Sequence, residues 1–298
     1  MSEREVSRRR LLASAAGVGG LSLGLSLVPA GANAASSAGS HIRRAGGSWE
    51  NVIERSSFSS PSAFNRSWKH LYPWNDRVDT HNGAARMHAD KVSLAQGVLT
   101  LTATRLTAPD GFSQNAPYAP LWYLSGAVHS KEPIVVDDRF PEYDIEGEFR
   151  TQTGPGIWPA FWTTGIWPVF PPESDILEYV GDSTNLFNTW SKGANGEELV
   201  ERERVSVRDP DAWHRYRVRM SKQGDDVVLD YYFDGARKAT HRGIGWAGAP
   251  QWLIINLQMG SWASGLEPLG PDWSRQPGPS GDTYFRARNV WVRRMRAR

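Results

Sequence analysis

Short β-prone runs, each closed by a turn residue, constrain this 298-residue chain more than any other feature. Val98 to Ala103, Val205 to Val207, Tyr216 to Met220, Val227 to Phe233 and Trp252 to Leu257 are rich in β-branched, aromatic and aliphatic residues. They are separated by Gly, Pro, Asp and Asn. No stretch sustains the 3.6-residue period of an amphipathic helix. Asp225-Asp226 and Asp234-Gly235 are turn signals between antiparallel neighbours. The expectation is an all-β protein of two packed sheets, without internal repeat or second domain.

One segment carries chemistry. In Pro171-Pro172-Glu173-Ser174-Asp175-Ile176-Leu177-Glu178-Tyr179-Val180 three acids lie among apolar residues. Strand side chains alternate, so Glu173 and Asp175 share a face while Glu178, an odd number of positions away, points elsewhere. A β-bulge between Asp175 and Glu178 absorbs one residue, returns Glu178 to the acidic face and leaves Ile176 or Leu177 to anchor the apolar side. Acids on the wet face of a strand are commonly only solvated. Three together repel, however, and folding gives little reason to cluster them. Chemistry does, because repulsion and partial desolvation keep one carboxyl protonated while another stays ionised. Two such groups held roughly 5–5.5 Å apart are the machinery of retaining glycosidases.

Gly156-Ile157-Trp158-Pro159-Ala160-Phe161-Trp162, a short loop and Glu173-x-Asp175-x-x-Glu178-Tyr-Val-Gly together are similar to the signature of glycoside hydrolase family 16. Ser125 to Val128, Tyr143 to Glu146, Trp213 to Tyr216, Tyr232 to Gly235, Trp252 to Leu257 and Asn289 to Val292 follow in the family's order, so the resemblance runs from about Trp49 onward. It implies a β-sandwich jelly roll with a concave substrate cleft. Glu173 would be the nucleophile, Asp175 its electrostatic and hydrogen-bonding helper, and Glu178 the general acid/base. The Glu-x-Asp-x-x-Glu spacing resembles laminarinases, agarases and carrageenases, whereas lichenases lack the extra residue. β-1,3-Glucan is the expected substrate, with β-linked galactan as the alternative. Two stretches depart from the family: Phe187-Asn188-Thr189-Trp190-Ser191 stands where many members carry a His, and Gln258-Met259-Gly260-Ser261-Trp262 where small residues and a paired Gly are usual. An altered sugar subsite is expected there. The resemblance implies no cofactor for catalysis and allows a structural calcium ion whose ligands the sequence does not identify.

Fourteen Trp are too many to treat as background; most are expected to fill the core and about a third to touch ligand, since flat indoles stack well on sugar faces. Trp158 and Trp162 share strand parity just before the acidic strand and are the first candidates for substrate contact. Trp190 and Trp262 follow. Trp213, Trp252 and Trp291 are assigned to the core. Asn256 and Gln258, on one strand face, suit hydrogen bonding to sugar hydroxyls, though Asn256 equally suits satisfying a buried backbone group.

Residues 1–34, with Ser7-Arg8-Arg9-Arg10-Leu11-Leu12, an apolar stretch to Val28 and Ala32-Asn33-Ala34, read as a twin-arginine signal peptide. Residues 35–47 read as a flexible lead-in and 48–298 as one catalytic domain. The chain has 34 basic and 32 acidic residues. Arg4, Arg8, Arg9 and Arg10 against Glu3 and Glu5 account for the excess, so the exported protein is neutral. No attraction to nucleic acid or membrane follows, and Arg293 to Arg298 reads as a solvated terminus. Secretion as a monomer acting on a polysaccharide is expected. Cysteine is absent, so stability must come from the core. Gly181-Asp182-Ser183 lacks a nucleophile elbow, Gly154-Pro155-Gly156 leads into no helix, and the seven His have no metal-ligand spacing. The rivals are a silent lectin on the same sandwich and, within the enzyme class, a transglycosylase.

Overall fold

The computed structural model describes residues 47–74, 79–264 and 278–298. The signal peptide expected over 1–34, and the lead-in expected over 35–47 up to its last residue, lie outside them. The outer sheet runs β15 (Ala236–Gly243), β14 (Asp226–Phe233), β13 (His214–Gln223), β8 (Glu142–Thr151), β17 (Thr283–Arg296), β5 (Val98–Arg105), β6 (Tyr123–Ser125) and β3 (Ala85–Met87). β1 (Ser48–Ile53) adds to β17 and β4 (Val92–Ala95) to β5. The concave sheet runs β12 (Glu198–Ser206), β11 (Thr184–Lys192), β10 (Glu173–Glu178), β9 (Ile157–Gly165), β16 (Gln251–Met259), β7 (Ala127–Ser130) and β2 (Trp68–His70). Every pairing is antiparallel except β3 with β6. The result is the jelly-roll sandwich that the short runs and the family resemblance together suggest.

Alternation explains the layering. Along β8, Tyr143, Ile145 and Phe149 point into the core while Glu142, Asp144, Glu146 and Glu148 point outward. Phe149 meets Phe161, Tyr216 and Phe285 with ring centroids 4.6, 5.9 and 5.5 Å away, joining the two sheets. Each such fully buried side chain contributes about 1.5–3 kcal/mol, which is how a chain without disulfides holds together. The edges are blunted by charge: β12 carries Glu201, Arg202, Glu203 and Arg204, and β15 carries Arg237, Lys238 and Arg242. The single α-helix among the described residues, α1 (Pro61–Ser67), starts where the Ser60 hydroxyl accepts from the Ala63 N–H at 3.1 Å, with Pro61 in its first turn. The β14–β15 hairpin turns on Asp234 and Gly235, both at positive φ, the geometry that Asp-Gly favours.

Of the three tryptophans assigned to the core, two differ from expectation. Trp252 is half-buried against the core, but Trp291 is buried on the outer face of the outer sheet and Trp213 is half-buried beneath an arginine. For Trp291 the cause is a register shift in β17 between Arg288 and Trp291. Asn289, at φ 51°, takes up the extra residue, so Val290 and Val292 enter the core and Trp291 does not. Arg55 and Arg293 cover Trp291 at 4.8 and 4.9 Å from the ring, and Arg288 covers Trp213 at 4.2 Å.

Candidate active site

β10 is hydrogen-bonded to β9 with Glu173 opposite Thr164 and Asp175 opposite Trp162. Leu177 then faces Phe161 and Glu178 faces Ala160. The register therefore shifts between Asp175 and Leu177, and Ile176 is the extra residue. Thr164, Trp162 and Ala160 all lie on one face of β9, so the three acids share the concave face of the sheet. Ile176 and Leu177 are both fully buried beneath them. Glu173 and Asp175 are 4% and 5% exposed and Glu178 is half-buried.

Two hydroxyl contacts fix this strand from behind, one on either side of the bulge. The Ser174 and Tyr231 hydroxyls are 2.7 Å apart, and Tyr231 reaches across the core from β14 to meet Thr189 as well, at 2.7 Å. It also donates to the Asn188 carbonyl at 3.0 Å. Beyond the bulge, the Tyr179 and Tyr216 hydroxyls are 2.6 Å apart. Burial pushes all three tyrosine phenols above their ordinary range, so they act only as neutral hydroxyls.

On the concave side two of the acids, Asp175 and Glu178, accept from neutral donors. Trp158 Nε1 donates to Glu178 Oε1 at 3.0 Å. Asn188 Nδ2 donates to Asp175 Oδ2 and to Glu178 Oε2, both at 2.9 Å, while Asn188 Oδ1 accepts from Arg202 Nε at 2.6 Å. Two hollows flank the trio. One is walled by His81, Trp158, Trp162, Asn256 and Gln258, the other by Trp158, Val180, Asn188, Trp190, Arg202 and Trp262.

All six residues expected to contact substrate lie at these hollows, though Trp158, Trp162, Asn256 and Gln258 each have a polar atom engaged within the protein. Asn256 Oδ1 accepts from Trp162 Nε1 at 2.7 Å, so it orients an indole rather than a backbone group. Gln258 is 1% exposed; its Oε1 accepts from the Ala85 and Met259 N–H groups at 3.0 Å each, fastening β3 beside the site. It lies flat over Gly83, where a Cβ would come within 2.2 Å of the Gln258 side chain. Trp162 belongs to an aromatic wall with Trp74 and His81, centroids 6.4 and 5.7 Å away, and Trp74 stacks on Tyr72 at 5.5 Å. Trp262 packs on Trp158 at 5.3 Å. Its Nε1 is buried and meets no acceptor among the described residues. Gly181, at φ +78°, lets this segment approach, since a Cβ there would sit 2.4 Å from the Ala263 carbonyl oxygen.

His81, Trp74, Asn188 as an amide bridge, and Arg202 were not singled out from sequence as site residues. Asn188 shares strand parity with Trp190 along β11, so counting by two places it on the same face, whereas Arg202 follows only once β12 is known to pair with β11. Among the described residues no group of three or more His, Asp or Glu side chains is arranged to hold a metal ion, and no calcium ligands are identified. No helix among them is long and apolar enough to cross a membrane.

Residues 79–289 match the profile of Glycosyl hydrolases family 16. The chain is 37% identical over 247 residues to a galactan endo-beta-1,3-galactanase from Flammulina velutipes, covering 82% of this chain and 90% of that protein. It is 27% identical over 169 residues to the endo-1,3-1,4-beta-glycanase ExsH of Rhizobium meliloti, covering 56% of this chain and 34% of that one. The fold resembles the crystal structure of an endo-1,3-beta-glucanase from Streptomyces sioyaensis with TM-score 0.59 and 17% identity, covering 83% and 97% of the two chains.

Proposed function

Because this chain belongs to glycosyl hydrolases family 16 and is therefore a glycoside hydrolase, we propose that it is an endo-acting, retaining β-1,3-galactanase. The observation that carries the hydrolytic reading is the bulge at Ile176, which brings three carboxylates to one face of one strand between two aromatic hollows. The galactan reading rests on the relative that matches this chain over 82% of its length. It displaces the β-1,3-glucan expected from the acid spacing, because the glycanase relative matches at lower identity and over less of the chain. The β-1,3 linkage is common to both.

In this mechanism Glu173 attacks the anomeric carbon while Glu178 protonates the departing oxygen, giving a glycosyl-enzyme. Glu178, now ionised, takes a proton from water, which attacks the same carbon and releases product with the configuration retained. Asp175 shares the Asn188 amide with Glu178 and serves as the electrostatic and hydrogen-bonding helper of Glu173. Trp158, Trp162, Trp190 and Trp262 supply flat faces for the pyranose rings on either side. Secretion by the twin-arginine route is part of the proposal, supported by Ser7 to Leu12 and Ala32-Asn33-Ala34.

Digestion of β-1,3-galactan, laminarin and agarose, with product sizing and NMR of the first-formed anomer, tests the reading. Oligosaccharides of β configuration from galactan are expected. Laminarin cleaved faster than galactan overturns the substrate; an α anomer overturns the retaining mechanism; absence of reducing sugar from the whole panel favours the lectin reading.

A further inference from the structure

Asp175, Asn188 and Arg202 face one another across three neighbouring strands, with Asp175 opposite Asn188 and Asn188 opposite Arg202. The Asn188 side chain is consequently the middle of a row, and it is 2% exposed. An amide has one accepting and one donating end, and their neighbours here are unambiguous: a guanidinium only donates and an ionised carboxylate only accepts. Arg202 Nε at 2.6 Å thus turns the carbonyl outward and commits both Nδ2 protons inward, one to Asp175 and one to Glu178. The bulge is what makes this possible, because only with Ile176 inserted does Glu178 return to the face where one amide reaches both acids.

We propose that Arg202 and Asn188 form a positioning pair that presents Glu178 for proton donation and receives its carboxylate once the proton has left. This rests on the acid/base assignment made for Glu178. Hydrogen bonds from Asn188 to Oε2 and from Trp158 to Oε1 are made to the ionised carboxylate and strengthen as the proton departs. They therefore stabilise the state reached in the transition state more than the starting acid. Arg202 acts through the amide: held one side chain behind the acids, it orients and polarises the donor without neutralising the carboxylates by direct ion pairing. Among the described residues, the charged or titratable groups around Glu178 are Glu173 and Asp175 on its own strand, His81 from the segment before β3, and Arg202 on β12; β9 and β16 present Trp158, Asn256 and Gln258, all neutral.

The test is the pH profile of kcat/KM for the full-length enzyme and for Arg202→Ala, Asn188→Ala and the double variant, on β-glycan and on an aryl glycoside whose leaving group needs no protonation. Donors to the charged form hold a carboxyl's titration down, so their removal should move the alkaline limb to higher pH. On polysaccharide each single variant should lose about tenfold or more in kcat, with little change in KM. The double variant should lose no more than Asn188→Ala alone, because Arg202 works through Asn188. On the aryl glycoside the losses should largely vanish, and Arg202→Lys should recover part of the rate. An unmoved alkaline limb, additive losses, or equal losses on both substrates overturns the pair. Arg202 is half-exposed on an edge strand, so its variants carry the test even where Asn188→Ala fails to fold. Azide rescue of Glu178→Gln on the aryl glycoside separates the two readings: rescue with an unmoved limb in the pair variants sinks only the positioning role, whereas no rescue sinks the acid/base assignment beneath it.

Discussion

β8 and β10 each present a row of carboxylates on one face, yet the two rows are met by different partners. In β8 the alternation is unbroken, and each carboxylate has an arginine beside it, from β13, from β17 or, at Glu146, Arg55. Asp144 is fully buried between Arg217, at 2.6 and 2.8 Å, and Arg293 at 2.8 Å, while Arg288 holds Glu148 at 2.8 Å. In β10 the alternation is broken by Ile176, and Asp175 and Glu178 share a neutral amide. Cations directly opposite a carboxylate pair with it through charge-assisted hydrogen bonds and make it structural. Neutral donors orient a carboxylate while leaving its protonation free to change, which proton transfer requires.

The largest expected effect separates the rows by chemistry. Glu173→Gln should lower kcat at least about 10³-fold with the fold and glycan binding intact, measured by reducing-sugar release and affinity electrophoresis. Full activity there would erase the distinction between the strands. Asp144→Asn should do the reverse. Removing one partner of a buried charge cluster costs about 2–3 kcal/mol, below the fully buried case because Arg217 and Arg293 are partly exposed. Denaturant unfolding should register that loss while kcat per folded molecule stays unchanged. Tyr231→Phe, which removes the hydroxyl shared by Ser174, Thr189 and the Asn188 carbonyl, should cost about 1–2 kcal/mol and also reduce kcat modestly. A stability loss with no change in turnover would show that bracing from behind does not reach the acids. The smallest effect is in pH. Burial pushes the Glu148 carboxyl up, but Asn289 and Arg288 outweigh it and bring it below the usual range. A carboxyl lowered in the folded state contributes stability above its unfolded titration, and that contribution fades as pH falls through the folded one. Glu148→Gln should therefore flatten the acid side of the unfolding profile by about 0.5 kcal/mol, and a profile unchanged from that of the parent would remove Glu148 from the structural row.

Much of this contrast was legible in the sequence. Glu173, Asp175 and Glu178 cannot share a face at strand parity unless a residue is inserted, so the bulge followed from counting. The strands around Val98, Tyr216, Val227 and Trp252 followed from composition and turn residues. Asn188 and Arg202 escaped notice because their role depends on strand order, which alternation alone does not encode: β10, β11 and β12 had to be known as neighbours. Trp291 was misplaced for a related reason, since the insertion at Asn289 in β17 has no sequence mark as strong as three acids. His81 lies in irregular chain before β3, where no period applies.

The hydroxyl contacts at Ser174 and Tyr179 have a consequence for redesign. Strapped to the opposite layer on both sides of its insertion, the acidic strand cannot slide by one position, so the reaction chemistry is set in a rigid floor. New glycan preferences are therefore to be sought in the walls, at Trp74, His81, Trp190 and Trp262, where replacement alters which sugar lies down without disturbing how its bond is cut.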